Sequence, residues 1–406
     1  MRKILIVGAG QSGLHLALGL LKNGYDVTVV SNRTPDDIRD GRVMSSQAMF
    51  GTTLGHERAL GLDHWPHCPP IDGIRFAVAG PDGGQAIGWA ARLREPARSV
   101  DQRVKMPAWL AEVEELGGRV EIRDVTPADL ETYAATHDLV LVAAGKGKIA
   151  SLFERDAARS PYDAPQRALA LTYVTGLAPR PEHSAVCFNV IPGVGEYFVF
   201  PALTVTGPCE IMVFEGVPGG PMDCWGEVRT PAEHLATSRS ILETFLPWEA
   251  ARCDGIELTD AMGTLTGRFA PTVRRPVALL PTGAPVLGVA DVVTLNDPIT
   301  GQGAGNAARC AAAYLQAILE HGDRPFDQAW MERTFERFWE QARHVTDWTN
   351  ALLAPPPPHV LEILGAAGSL PEVASRFVNG FDDPTDFAEW FMDPDSARRY
   401  LAEVSS

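Results

Sequence analysis

Gly8, Gly10 and Gly13 stand at the spacing that lets a backbone turn hold a pyrophosphate. Gly8 permits the tight turn, Gly10 lets the chain approach the anion, and Gly13 lets the following helix sit close to the preceding strand. Gln11 and Ser12 fall in the first turn of that helix, whose N–H groups and partial positive charge favour an anion. A second glycine set lies far down the chain, in Asn296-Asp-Pro-Ile-Thr-Gly-Gln-Gly-Ala-Gly-Asn306, shortly after Asp291. There an acid can hold a ribitol chain, and a helix start can stabilise negative charge on the pyrimidine side of a flavin ring. No Ser–His–Asp arrangement, metal cluster or paired-carboxylate motif accompanies them. His64, His67 and Cys68 lie together in a proline-rich loop, but without a second ligand pair they make a poor metal site, and no metal is expected.

The flanking segments supply the elements these residues need. Ile4-Leu-Ile-Val7 reads as a buried parallel strand, 14–21 as a helix, and Asp26-Val-Thr-Val-Val30 as a second strand. The acid that usually holds the ribose after that strand is missing, and Ser31-Asn32-Arg33 stands there instead. A hydroxyl or amide could bond the ribose, and Arg33 could meet a phosphate, the adenine or the 2′-phosphate of NADP, so this turn alone leaves the dinucleotide open. Pro285-Val-Leu-Gly-Val-Ala-Asp291 reads as a strand ending in an acid, and the second glycine set then opens a small-residue helix (Ala307, Ala308, Ala311). Together the two turns point to one clamped FAD. Gly216-Val-Pro-Gly-Gly220 and Gly193-Val-Gly195 lack a strand–helix context, so no NAD(P)H site is expected.

Between about 165 and 260, β-branched and aromatic runs alternate with Gly-Pro turns and read as a mostly antiparallel sheet. Asp138-Leu-Val-Leu-Val-Ala-Ala-Gly145 reads as a further buried strand, 97–117 holds a basic helix start, and 330–353 is helical. Within that last helix Trp330, Phe335, Phe338, Trp339 and Trp348 read as core packing; residues 355–358 break it, and two short helices should follow. The expected fold class is α/β: a glutathione-reductase-like FAD domain from 1–70, 97–165 and 263–325, a substrate sheet from 71–96 and 166–262, and a helical region at 326–406.

The net charge of −16, from 35 basic and 51 acidic residues, argues against nucleic acid or an anionic membrane as partner. Six scattered cysteines without paired spacing suggest reduced thiols. No run is long enough for a membrane helix, and no leader precedes the first strand, so a cytoplasmic location is expected.

An ordered set of segments resembles a known family. It comprises Ile6-Val-Gly-Ala-Gly10, the strand from Asp26, Gly41-Arg42, Pro96-Ala-Arg-Ser-Val-Asp101, Asp138 to Ala144-Gly145-Lys146, Pro165-Gln-Arg-Ala-Leu169, Asp297-Pro-Ile-Thr-Gly-Gln-Gly-Ala304 and Thr346-Asp-Trp-Thr-Asn350. The chain resembles the oxygenase component of two-component styrene and indole monooxygenases. The resemblance implies a para-hydroxybenzoate-hydroxylase-like fold in which Ala144-Gly145-Lys146 replaces the Asp-Gly motif tied to NAD(P)H use. It also implies that a separate NADH-dependent flavin reductase supplies reduced FAD, that O₂ is co-substrate, and that a C4a-hydroperoxyflavin epoxidises a small aromatic alkene. A homodimer is among the assemblies allowed. A single-component hydroxylase, a halogenase (whose tryptophan-rich segment is missing) and a non-catalytic flavin or prenyl carrier are the alternatives.

Carried over by the resemblance, Gly8, Gly10, Gln11, Ser12 and Gly13 line the pyrophosphate, and Asn32 and Arg33 face the adenosine. Arg42, Arg98 and Asp291 surround the ribitol–phosphate, and Ser31, Val125 and Gly145 complete the cofactor set. Pro298, Gly301, Gln302, Gly303 and Asn306 sit at the isoalloxazine. Ser45, Gln47, Met49, Ile71, Ile74 and Ala97 match the indole-type rather than the styrene-type pattern. With Asn189, Val199, Pro201, Val213, Ile299 and Thr300 they are the expected substrate positions, and Gln47 could bond the indole N–H or a flavin edge.

Overall fold

Two sheets share the work of the chain in the computed structural model, which describes residues 2–145 and 147–405. Lys146 lies outside the described residues. The first sheet has six strands in the order Val277–Leu279, Pro285–Gly288, Leu139–Val142, Lys3–Val7, Asp26–Ser31, Arg119–Ile122. All its pairings are parallel except the one at the Val277–Leu279 edge. Its central strands are unbroken Ile/Leu/Val runs because both faces are buried, and helices Gln11–Lys22 and Gly303–His321 pack against each other over one of them, Gly19 meeting Leu315.

The second sheet has nine strands and is antiparallel except where Ile71–Ala79 runs parallel to Ala185–Ile191. Its central order is Ala168–Thr175, Gly207–Gly216, Gly195–Thr204, Ala185–Ile191, Ile71–Ala79, Gln85–Ser99. Both faces are buried. One packs on helix Pro231–Phe245 through Tyr197, Val199, Met212 and Phe214. The other carries Phe188, Phe198, Phe200 and Val213 towards the C-terminal helices and the 297–301 turn.

Two boundaries move relative to the sequence reading. Strand Gln85–Ser99 runs past residue 96, and Thr264–Gly267 pairs with Ala168–Thr175 and so belongs to the second sheet. Helix Gln328–Leu352 buries Trp330, Phe335 and Phe338 in the first core and Trp348 in the second, so the C-terminal segment fastens the two sheets together. Four helices follow it where two were expected: Pro358–Ala366, Pro371–Asn379, Phe387–Trp390 and Pro394–Val404. Three of them begin on a proline, which ends one helix but is favourable in the first turn of the next. Among the described residues no helix is long and apolar enough to cross a membrane.

Candidate active site

At the phosphate end, the chain leaves strand Lys3–Val7 through Gly8, whose φ of +118° suits glycine. A Cβ on Gly13 would stand 2.1 Å from the Gly8 carbonyl oxygen, so strand and helix can meet only with glycine there. Gly10 is different: a Cβ there would meet no protein atom within 4 Å. It opens onto free space at the start of helix Gln11–Lys22, which has no side-chain cap. Unclaimed N–H groups beside an open glycine fit a pyrophosphate.

Beneath this turn lies a charged cluster that the sequence reading missed. Buried Lys105 bonds Glu57 at 2.5 Å and the Gln11 side-chain oxygen at 3.3 Å, while the Gln11 amide donates to Glu57 at 2.7 Å. Lys105 also lies 4.8 Å over the Trp109 ring, one helical turn away. The Gln11 side chain is therefore spent inward, and only its backbone N–H is left for a phosphate. Burial first, and then Lys105, hold His15 neutral with a pKa of about 3. The Lys105/Trp109 spacing on helix Gln102–Glu115 was the available signal.

Strands Leu139–Val142 and Pro285–Gly288 are parallel neighbours, so the loops after them converge. A Cβ on Gly145 would lie 3.2 Å from the Asp291 Cβ, which puts these two expected cofactor residues together. Ala290, just before the acid, has φ +50°, and its N–H donates to Cys310. Ser31 ends strand Asp26–Ser31 on the far side of Lys3–Val7, Asn32 and Arg33 follow it, and Val125 is half-buried beyond Arg119–Ile122. Two arginines are tied elsewhere. Arg42 donates to the Thr264 carbonyl and hydroxyl at 2.8 and 3.0 Å, and Arg98 Nη1 donates to both Asp63 oxygens at 2.8 and 3.0 Å. Arg98 thus has the structural ion pair that competes with a phosphate role.

The second turn begins at Asp297, which accepts the Ile299 N–H at 3.1 Å, and reverses at Gly301 with φ +64°. Gly301 and Gly303 also face open space, and helix Gly303–His321 starts without a side-chain cap. Asn306 Oδ1 and Gln47 Oε1 are buried without a donor. Gln47 has φ +54°, and with Ala290 it makes the two non-glycine residues at positive φ among those described. Strain of this kind collects where a site must be held open. Open glycines, uncapped helix starts and orphaned acceptors fit a flavin dinucleotide.

Against this turn lies an apolar cavity of about 30 Å³, lined by Phe188, Phe198, Phe200, Val213, Ile299 and Phe381, with Ser46, Ala48, Phe50, Val186, Pro298, Thr300 and Gly301 completing the wall.

Comparison with known proteins decides the family. The chain is 30% identical over 403 residues to styrene monooxygenase StyA of Pseudomonas fluorescens, across 97% of this chain and 96% of that one. It is also 30% identical to styrene monooxygenase StyA of a Pseudomonas species, across 100% and 98%. The chain belongs to the styrene monooxygenase family. Residues 145–252 match the family model described as "Styrene monooxygenase A putative substrate binding domain". Among solved structures, the flavin-dependent brominase Bmp2 superposes with a TM-score of 0.66 at 13% identity, covering 98% of this chain and 99% of its own. The flavin-dependent halogenase CmlS gives 0.61 at 18%, covering 97% and 71%. These share the fold, which is the α/β flavoprotein architecture expected from sequence.

In this styrene monooxygenase relative the residue-level expectations need correction on the cavity side. Along Gly195–Thr204, Phe198 and Phe200 face the cavity, so Val199 points to the opposite core, and Pro201 has the parity of Val199. Asn189 is likewise turned away, accepting from Trp248 at 3.0 Å. Val213 alone of those four lines the cavity. In the 45–50 segment Ser46, Ala48 and Phe50 line it, whereas Met49 packs on Leu54, Ala304 and Ala308. Ser45 is held by Gln47 and, at 3.3 Å, by Gln102. Ile71, Ile74 and Ala97 are buried in the same core behind the wall. Thr300 lines the cavity but spends its hydroxyl on Thr349 at 2.7 Å, and Gln302 bonds the Phe381 carbonyl and Arg309 rather than open space.

Proposed function

We propose that this chain is the oxygenase of a two-component epoxidase, taking reduced FAD from a separate NADH-dependent flavin reductase and using O₂ on the C2=C3 bond of indole and on styrene-like alkenes. The observation that carries the reading is the pairing of two open glycine turns, each opening an uncapped helix packed in the core of the parallel sheet, with an aromatic cavity against the second turn. Family membership supports the same chemistry. When bound and reduced, the flavin supplies the electrons that activate O₂ and deliver one oxygen atom to the alkene.

The chain's own tasks are holding, drying and aiming. Backbone N–H groups at 10–13 hold the pyrophosphate, Asp291 the ribitol, and the start of Gly303–His321 the pyrimidine side, where its positive end stabilises negative charge. Phe188, Phe198, Phe200 and Ile299 would keep water from the reacting oxygen, which suppresses its loss as hydrogen peroxide. At about 30 Å³ the cavity matches about one water's share of liquid, so a bicyclic substrate must displace phenylalanine side chains to enter. Preference for indole is supported by the Ser45/Gln47/Met49 pattern; Gln47 itself lies outside the cavity lining, so its donor-free oxygen can take an indole N–H only if the substrate reaches past Ser46 and Ala48.

Purified protein given chemically reduced FAD, oxygen, catalase and indole should form indigo, and should not oxidise NADH unaided. Absence of product with flavin bound would overturn the epoxidase reading; unaided NADH oxidation would make it a single-component hydroxylase.

A further inference from the structure

Behind the cavity wall the second sheet hides a group that oxygen transfer has not used. Glu215 lies on strand Gly207–Gly216, two residues beyond the cavity-lining Val213 and on the same face, and is fully buried. Its cross-strand partner is Glu196, which Arg167 holds in a fork of 2.7 and 3.0 Å. That fork consumes the guanidinium, whose other nitrogen donates to the Gln166 and Leu353 carbonyls. No N–H or O–H reaches either oxygen of Glu215. Its carboxyl lies beside that of Asp297, which is also buried and opens the 297–301 turn that lines the cavity together with Val213.

Two buried carboxyls in contact, with the nearest cation already spent, cannot both ionise. One proton must remain between them, and it is a property of the pair. Asp297 accepts the Ile299 N–H, which favours the negative form there, so the proton belongs on Glu215. Burial pushes the Glu215 carboxyl well above the usual range and Asp297 up to about 6. Arg167 and Glu196 are the charged groups that face the pair.

We propose that Glu215 stays protonated and donates an O–H···O bond to Asp297, and that this bond pins the 297–301 turn to the sheet. Glu215 is then a positioning residue for the turn that closes the cavity. Its effect on oxygen transfer rests on the function proposed above; its effect on the fold does not.

The test compares Glu215→Gln, whose amide can donate to Asp297 without titrating, with Glu215→Met, which cannot donate. In the flavin-free chain, the folded carboxyl is raised above its unfolded value. Its stability is therefore fully present below the unfolded pKa and is lost as pH rises towards the folded one. The thermal midpoint of the wild type should fall relative to Glu215→Gln between about pH 5 and 8. An infrared band of a protonated carboxylic acid should persist at pH 8 and vanish in Glu215→Gln. With reduced FAD, product formed per O₂ consumed should drop about tenfold in Glu215→Met, the size of one lost hydrogen bond to a charged acceptor, and be restored by Glu215→Gln. Parallel midpoint profiles and no band overturn the proposal, even if Glu215→Met does not fold. A wild type that makes no epoxide, but shows the band and the diverging profiles, overturns the functional reading alone.

Discussion

The 8–13 turn and the cavity wall are built by opposite means. At the turn, backbone contact dictates the residue: Gly13 has no room for a Cβ, Gly8 needs positive φ, and Gly10 alone faces open space. At the wall, side chains from six separated segments meet, and any apolar residue of suitable volume could hold each place. The turn is therefore intolerant and chemically specific, whereas the wall is tolerant and selects by shape. The steepest contrast lies inside the turn. Gly13→Ala should cost more than about 3 kcal/mol or prevent folding, because backbone must shift. Gly10→Ala should leave denaturant stability within about 0.5 kcal/mol yet weaken FAD binding at least about tenfold, since its methyl points only at the ligand space. Wild-type FAD affinity in Gly10→Ala would remove the turn from the binding site.

A second break tests what supports the turn. Lys105→Met leaves Glu57 buried without its cation and should cost about 3–5 kcal/mol in urea unfolding, whereas Lys105→Met with Glu57→Leu should recover most of it. If the double variant is as unstable as the single, the pair contributes through packing instead.

The wall offers a gentler comparison between adjacent residues. Phe198→Ala enlarges the cavity and should cost about 3 kcal/mol while admitting bulkier alkenes. Val199→Ala, one residue on and facing helix Pro231–Phe245, should cost about 2 kcal/mol and leave the ratio of products unchanged. Equal changes in selectivity would show that the two faces are wrongly assigned.

That same pair shows why half of the site was legible in sequence. The turns could be read because glycine spacing records backbone geometry directly, and the α/β core because its Ile4–Val7 and Leu139–Val142 runs are buried on both faces. The second sheet is also buried on both faces, so Tyr197, Phe198, Val199 and Phe200 are apolar without alternation, and period two cannot say which face meets the cavity. The inward turn of Gln11 and the Glu215–Asp297 contact depend on residues 46 and 82 positions away, beyond any local pattern.

The smallest expected effect is the most specific. Exchanging Gln47→Val with Ser45→Asn should shift preference towards styrene, but it places a β-branched residue at φ +54° and mixes strain with recognition. Gln47→Met is cleaner, because it keeps length and removes the orphaned acceptor. If that oxygen takes the indole N–H, the preference for indole over styrene should fall by about two- to tenfold, the range of one neutral hydrogen bond. The wild type should also discriminate against N-methylindole, which has no N–H, and Gln47→Met should erase that discrimination. Product ratios measured in one mixed-substrate reaction decide it. Discrimination that survives Gln47→Met would assign the choice between indole and styrene to the phenylalanine wall rather than to any polar contact.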